Sequence, residues 1–141
     1  VANAYRRLGD APRFLDALRR CQAFDPHDVE TAFHLAQGLE ETGDLRAAAE
    51  LFGRISADGY LGAAISLGRV RLKQGAPDRA LQIAEAALAR EPDNAAAHIL
   101  AAQAAAAAGN KAVARAHLGR ARKLAPDYPE LRRLEASLGT P

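Results

Sequence analysis

The sequence predicts an all-α solenoid of antiparallel helix pairs, and three observations carry that prediction. Gly9, Gly43, Gly75 and Gly109 fall 34, 32 and 34 residues apart. Each occupies the same place in a pattern of small and large apolar residues: Val1, Leu35, Leu67 or Ala101 eight before it, Leu18, Phe52, Ala84 or Leu118 nine after it, and Pro26, Tyr60, Pro92 or Pro126 seventeen after it. Between these markers apolar residues recur every three or four positions, the spacing of one helix face. Units of this length with two helices each bury their apolar faces only against stacked neighbours.

Taken in order, one domain spanning 1–141 divides into a partial repeat over 1–28, repeats over 29–60, 61–94 and 95–128, and a closing helix over 129–138. The first unit keeps only the end of its first helix, followed by a second helix over Ala11 to Phe24. Because Val1 falls mid-pattern and no initiator Met is present, the sequence reads as a fragment of a longer protein. The second unit has Leu35, Ala36, Leu39, Ala48, Phe52 and Ile55 in helical register, but is two residues short and carries Tyr60 in place of proline. Ala57 to Leu61 is therefore the irregular junction.

In the third unit Ala64, Leu67 and Gly68, then Ala80, Ala84, Ala87 and Leu88, flank Gln74 and Gly75. Gly75 suits a left-handed helix end, Pro77 suits the first turn of the next helix, and Pro92 stops that helix because proline lacks an amide donor. The fourth unit repeats the arrangement with Ala101, Ala102 and Ala105 before Gly109, and Ala114, Leu118 and Ala121 before Pro126. Alanine is both the best helix former and small, so this helix is expected to lie close to its neighbours. In the closing helix Leu131, Leu134 and Leu138 share one face and Arg132, Arg133 and Glu135 the other, the pattern of an end cap.

Composition supports a packed core of small side chains. Half the chain is apolar (49%), yet only 5% is aromatic, with no Trp or Met and 35 alanines. Sixteen of the 19 basic residues are arginine, which with the alanine excess points to a GC-rich bacterial gene. Residues 1–60 carry a net charge of −3, residues 61–108 +1 and residues 109–141 +4. The basic residues form no dense tract and are not interleaved with aromatics, which argues against nucleic acid. No segment is long and apolar enough to cross a bilayer, and no secretion leader is present within the fragment. The compartment, bacterial cytoplasm or periplasm, is left open.

Signatures of chemistry are sparse in the chain. Glu30 and His34 are spaced to share a helix face with His27 nearby, but three well-placed ligands are not assembled, and no metal or cofactor is expected. His98 and His117 fall in different helices of the fourth unit, in packing or surface roles. Cys21 occupies the register of Ile55, Ala87 and Ala121 and reads as a small buried hydrophobe; being the sole cysteine, it forms no internal disulfide. There is no phosphate loop, nucleophile elbow or HExxH, so the chain is not expected to be an enzyme.

The recurring pattern (Leu-Gly or Leu-Ala eight before the glycine, Ala five after, a large apolar nine after, Pro seventeen after) resembles the tetratricopeptide repeat. Leu67 with Gly68, Leu35 with Ala36, Ala48 with Phe52, and the endings Asp25-Pro26 and Glu91-Pro92 carry the resemblance over essentially the whole chain. Ala32, Ala64 and His98 depart from the family's bulky first position, Arg71 replaces a large apolar residue, and Phe14 fills a small-residue site. The resemblance implies a right-handed superhelix whose first helices line a concave, partner-binding face. Carried over residue by residue, the groove comprises Asn3 and Arg6, then Glu30, Phe33, His34 and Gln37, then Ile65, Ser66, Arg69 and Lys73, and finally Ile99, Leu100 and Gln103. Amides, a few apolar anchors and the Arg69–Lys73 pair suit a peptide of some acidic character. The carboxylate clamp of co-chaperone members is missing, since Phe33 and Gln37 stand where its first Lys and Asn would be, and Leu100 replaces a polar group.

The expected function is a non-catalytic interaction module that binds a partner peptide or protein on the concave face. A rival is the substrate-presenting or assembly arm of a larger bacterial enzyme or export machine, such as a sulfotransferase, glycosyltransferase or polysaccharide-export protein. A third is homo-oligomerisation through the N-terminal edge near Val1, Tyr5 and Leu18.

Overall fold

A computed structural model describes residues 9–139. Among them are eight helices and no strand: α1 Ala11–Phe24, α2 Val29–Glu41, α3 Leu45–Ala57, α4 Leu61–Lys73, α5 Pro77–Arg90, α6 Ala95–Ala107, α7 Lys111–Leu124 and α8 Pro129–Leu138. Arg6, Asn3 and the proposed N-terminal edge at Val1 and Tyr5 lie outside the described residues.

The periodic glycines mark one recurring turn. Gly43, Gly75 and Gly109 have φ of +90°, +74° and +83°, a region closed to most side chains. The residue after each donates its backbone N–H five residues back, Asp44 to Leu39, Ala76 to Arg71 and Asn110 to Ala105, each at 2.9 Å. That bond satisfies a helix-end carbonyl. Asp44 and Asn110 then accept from the backbone N–H of Ala47 (3.2 Å) and Val113 (3.3 Å), capping the following helix. Two residues thus close one helix and open the next. Ala76 has no capping side chain, and Pro77 occupies the first turn instead.

The second unit is short for two identifiable reasons. Helix α3 has 13 residues where α1, α5 and α7 have 14. Its connection to α4 is residues 58–60, one fewer than 91–94 and 125–128. Gly59 turns the chain at φ +99°, and Tyr60 is left 51% exposed.

The chain divides into two compact units between Ala63 and Ala64. In the first, α1 packs on α2 and α2 on α3. Phe14, Leu15, Leu18, Leu35, Leu39, Phe52 and Ile55 are buried around the small residues Ala36 and Ala48. In the second, Ala80 and Ala84 of α5 meet Leu100, Ala101 and Ala104 of α6. The opposite side of α6 joins Ala114, Leu118 and Ala121 of α7, closed by Leu131, Leu134 and Leu138 of α8. Small residues set the close approaches. A Cβ added at Gly38 would stand 2.6 Å from Leu15 Cδ2, and one at Gly68 would overlap Leu100 Cδ2.

Cys21 differs from expectation: it is exposed. The buried residues of α1 are Phe14, Leu15 and Leu18, and no later residue of that helix is buried through to Phe24, itself 94% exposed. Ile55, Ala87 and Ala121 share its register but are buried, so the shared position does not bring shared burial.

Candidate functional site

The first unit presents Glu30, Phe33, His34 and Gln37 on α2. Asp28 fixes the start of this helix by accepting from the backbone N–H of Thr31 at 3.2 Å and from its hydroxyl. These bonds, the hydroxyl foremost, hold the Asp28 carboxyl below the usual carboxylate range. Phe33 is half-buried and packs edge-on against the fully buried Phe52 (centroids 5.5 Å, 69°). It is therefore partly a core residue. His34 Nδ1 lies 3.3 Å from Gln37 Oε1, and its Nε2 is 3.9 Å from Glu30 Oε1, beyond hydrogen-bond range but near enough for attraction when the imidazole is charged. Glu30 and Phe33 line a pocket of about 430 Å³ whose other walls are Val29, Ile55 and the segment from Tyr60 to Ala63. His27 sits in the turn before α2, its backbone N–H bonded to Asp25 Oδ1 at 3.1 Å. No group of three or more His, Cys, Asp or Glu among the described residues is arranged to hold a metal ion.

The second unit brings Arg69 of α4 and Gln103 of α6 to one small cleft, about 80 Å³, floored by Ile65, Ile99 and Leu100 and bounded by Tyr128 and Glu130. Lys73 is exposed one turn beyond Arg69. Of the other expected groove residues, Ser66, Leu100 and Ile99 are largely covered (5%, 2% and 5% exposed), and Ile99 and Leu100 line this cleft only as its floor. Helix α6 is apolar on nearly every side and packs on both α5 and α7, so Ile99 and Leu100 present little surface beyond that floor. Leu100 instead fills the space over Gly68.

Tyr128 and Glu130 were not foreseen in this cleft. Glu130 is the second residue of α8, the register of Glu30 in α2 and Ala96 in α6. Reading the cap as one more first helix would have placed it in the groove set. In the first unit, Tyr60 and Gly62 were likewise missed, although the short repeat pointed to them.

His98 and His117 form a pair joining α6 to α7. Their Nδ1 atoms are 3.0 Å apart, and His98 Nε2 is 2.9 Å from the Pro92 carbonyl. Nε2 therefore donates to that carbonyl, and in the neutral ring Nδ1 accepts from His117. The centroids are 5.3 Å apart, roughly the N···N distance plus the two ring radii, so the nitrogens meet head-on. That alignment suits a shared proton, not two lone pairs converging on a cation. Arg120 bonds Asp93 at 2.6 Å beside it. Burial and the neighbouring His98 hold the His117 imidazole below its ordinary value, partly opposed by Glu85.

A tetratricopeptide-repeat family profile matches residues 71–138. No curated protein matches the chain. Among solved structures, a thermophilic TPR protein of Thermus thermophilus is 25% identical, aligned over 97% of this chain and 77% of its own with a TM-score of 0.79. MamA from Desulfovibrio magneticus is 22% identical over 92% of this chain and 75% of its own, with a TM-score of 0.79. A tetratricopeptide repeat protein from Parabacteroides merdae is 13% identical over 97% of this chain and 56% of its own, with a TM-score of 0.81. The fold class is that of the all-α, TPR-like solenoid. No described helix is long and apolar enough to cross a membrane.

Proposed function

We propose, from the premise that this chain carries a tetratricopeptide-repeat domain, that it is a non-catalytic recruitment module holding an acidic peptide segment of a partner protein against α4, α6 and the start of α8. The fold is generally that of a protein–protein interaction scaffold, and the relatives from Thermus and Desulfovibrio accord with a bacterial setting. One observation carries the finer reading: Arg69 and Gln103, from separate helices, share a cleft with Tyr128 and Glu130 over an apolar floor. A guanidinium there matches a carboxylate with two parallel donors. The Gln103 amide both donates and accepts, as an extended peptide backbone requires. Lys73 extends the cationic stripe one turn further, and Glu130 disfavours acidic residues at the far side of the cleft. His98 is buried in its contact with His117, which leaves it unavailable to a ligand in the cleft.

The test is affinity capture from a lysate of the organism that carries the gene, using wild type, Arg69→Glu, Gln103→Ala and a distant control, Arg46→Glu. A protein retained by wild type and control but lost from both cleft variants supports the reading. Identical retention by all four overturns the site and returns the choice to a structural arm of a larger protein.

A further inference from the structure

The first unit holds a pocket of different chemistry. Its walls are apolar (Val29, Phe33, Ile55, Leu61), and its volume of about 430 Å³ lies within the range of roughly 300–1,000 Å³ typical of ligand sites. Gly62 forms part of the lining, in the first turn of α4. A Cβ added there meets nothing within 4 Å. Packing of the described structure therefore does not explain this glycine, whereas Gly68 of the same helix is explained by Leu100. Open space over a glycine is where another group can approach closely.

The charge around the pocket is acidic. Glu30 is the sole charged lining residue, with an 87% exposed side chain. The adjoining cleft, which shares Val29 and Ile55, adds Asp28 and Asp58 against Arg54 and His27. Residues 9–63 contain ten carboxylates and five arginines, so the surrounding potential is negative.

We propose that this pocket is a second docking site, which takes a bulky apolar side chain, phenylalanine or leucine, from a partner segment that carries arginine or lysine beside it. The ring or isobutyl group lies against Phe33 and Ile55 over Gly62, and the flanking cation pairs with Glu30. Tyr60, half-exposed at the pocket, supplies a hydroxyl for the segment's backbone. The site shares with the proposed function only the premise that the chain binds protein. It uses the start of α4 with α2 and α3, where the other cleft uses later residues of α4 with α6 and α8, and it has the opposite charge, so each reading fails separately.

The test is a two-dimensional amide NMR titration of the full chain with three probes: acetyl-Arg-Phe-Arg-amide, acetyl-Arg-Ala-Arg-amide and acetyl-Glu-Phe-Glu-amide. The first is expected to produce saturable shifts at Gly62, Phe33 and Tyr60. Replacing Phe by Ala should weaken binding about tenfold or more, the consequence of losing one buried apolar side chain. Replacing Arg by Glu should weaken it about two- to fivefold, the scale of an exposed ion pair. Gly62→Leu fills the pocket and should abolish the shifts with helix content retained, while Arg69→Glu should leave them intact. Should Gly62→Leu not fold, Glu30→Arg replaces it and is expected to reverse the preference between Arg- and Glu-flanked probes. Absence of saturable shifts at those amides, equal response to the alanine probe, or persistence in the blocked variant overturns the proposal. So does concentration-dependent broadening of these amides without peptide that Gly62→Leu removes, which would assign the pocket to a second copy of the chain.

Discussion

Gly68→Ala is expected to destabilise the protein although alanine is the better helix former. Gly68 is interior to α4, so the substitution alone contributes about 0.8–1.0 kcal/mol of helix stability. Against this, the new Cβ overlaps Leu100 Cδ2 and comes within 3.3 Å of Cδ1 and Cγ. Leu100 has little room to shift: it is 2% exposed and packed among Ala80, Ala84, Ala101 and Ala104, each fully buried, with only the small cleft that it floors on its open side. Forcing a methyl into such a site costs about 1–3 kcal/mol. The net change is a loss of up to about 2 kcal/mol by these magnitudes. Gly119→Ala calibrates the comparison, because Gly119 is interior to α7 and its added Cβ meets nothing within 4 Å. That variant should gain about 0.5–1 kcal/mol. Urea titrations followed by far-UV circular dichroism measure both. A double-mutant cycle with Leu100→Ala then isolates the clash, which should appear as a coupling of about 1–3 kcal/mol. A Gly68→Ala variant as stabilised as Gly119→Ala, or a coupling near zero, would refute the argument that Gly68 is kept for the approach of α6.

Phe33→Ala should reduce stability by at least the roughly 0.5–1.5 kcal/mol of an edge-on aromatic pair, because its ring packs on Phe52 and is not a simple surface anchor; chemical denaturation of the variant checks this. Cys21 should react with a thiol reagent in the folded protein at a rate close to that in denaturant, since it is exposed. Stability should fall as pH drops through 6.5, because the unfolded chain protonates His117 there while the folded chain, whose imidazole is held lower, does so only at lower pH, where the loss levels off. Denaturation curves across that window should be flatter for His117→Asn than for wild type.

The helices were legible because each boundary has a local cause written in one or two residues. Gly43, Gly75 and Gly109 adopt the left-handed turn, and Pro77 stands in the first turn of its helix. The groove was less legible, and α6 shows why. A helix reading Ala-Ala-Ala-His-Ile-Leu-Ala-Ala-Gln has no polar stripe, so spacing alone does not tell which side is free, and family register assigned Ile99 and Leu100 outward. Its near-uniform apolarity accords with a helix largely covered by neighbours, which leaves Gln103 as its polar group at the cleft. Register failed differently at Cys21: position within the repeat does not fix burial when the neighbouring helices differ. Arg69 and Gln103 are found at one cleft because α4 and α6 are successive first helices whose close packing at Gly68 and Leu100 also brings these side chains together.

The chemistry of the chain concentrates where the repeat departs from itself. Regular positions hold small or apolar side chains whose demand is volume, and Ala36, Ala48, Ala80, Ala101 and Ala114, each with no exposure, leave nothing for a ligand. The 32-residue unit breaks this pattern. Its shorter helix and connection leave Tyr60 exposed and the space over Gly62 open, and an apolar pocket results in a unit otherwise rich in carboxylates. The fourth unit breaks it with a histidine at a normally bulky site, which reaches His117 and the Pro92 carbonyl and ties two helices to the preceding turn. Opposite charge then separates the two clefts. Under the two proposals, an acidic segment would be repelled by Glu30 and drawn to Arg69, and a basic one the reverse, so neither ligand would compete well for the other's site.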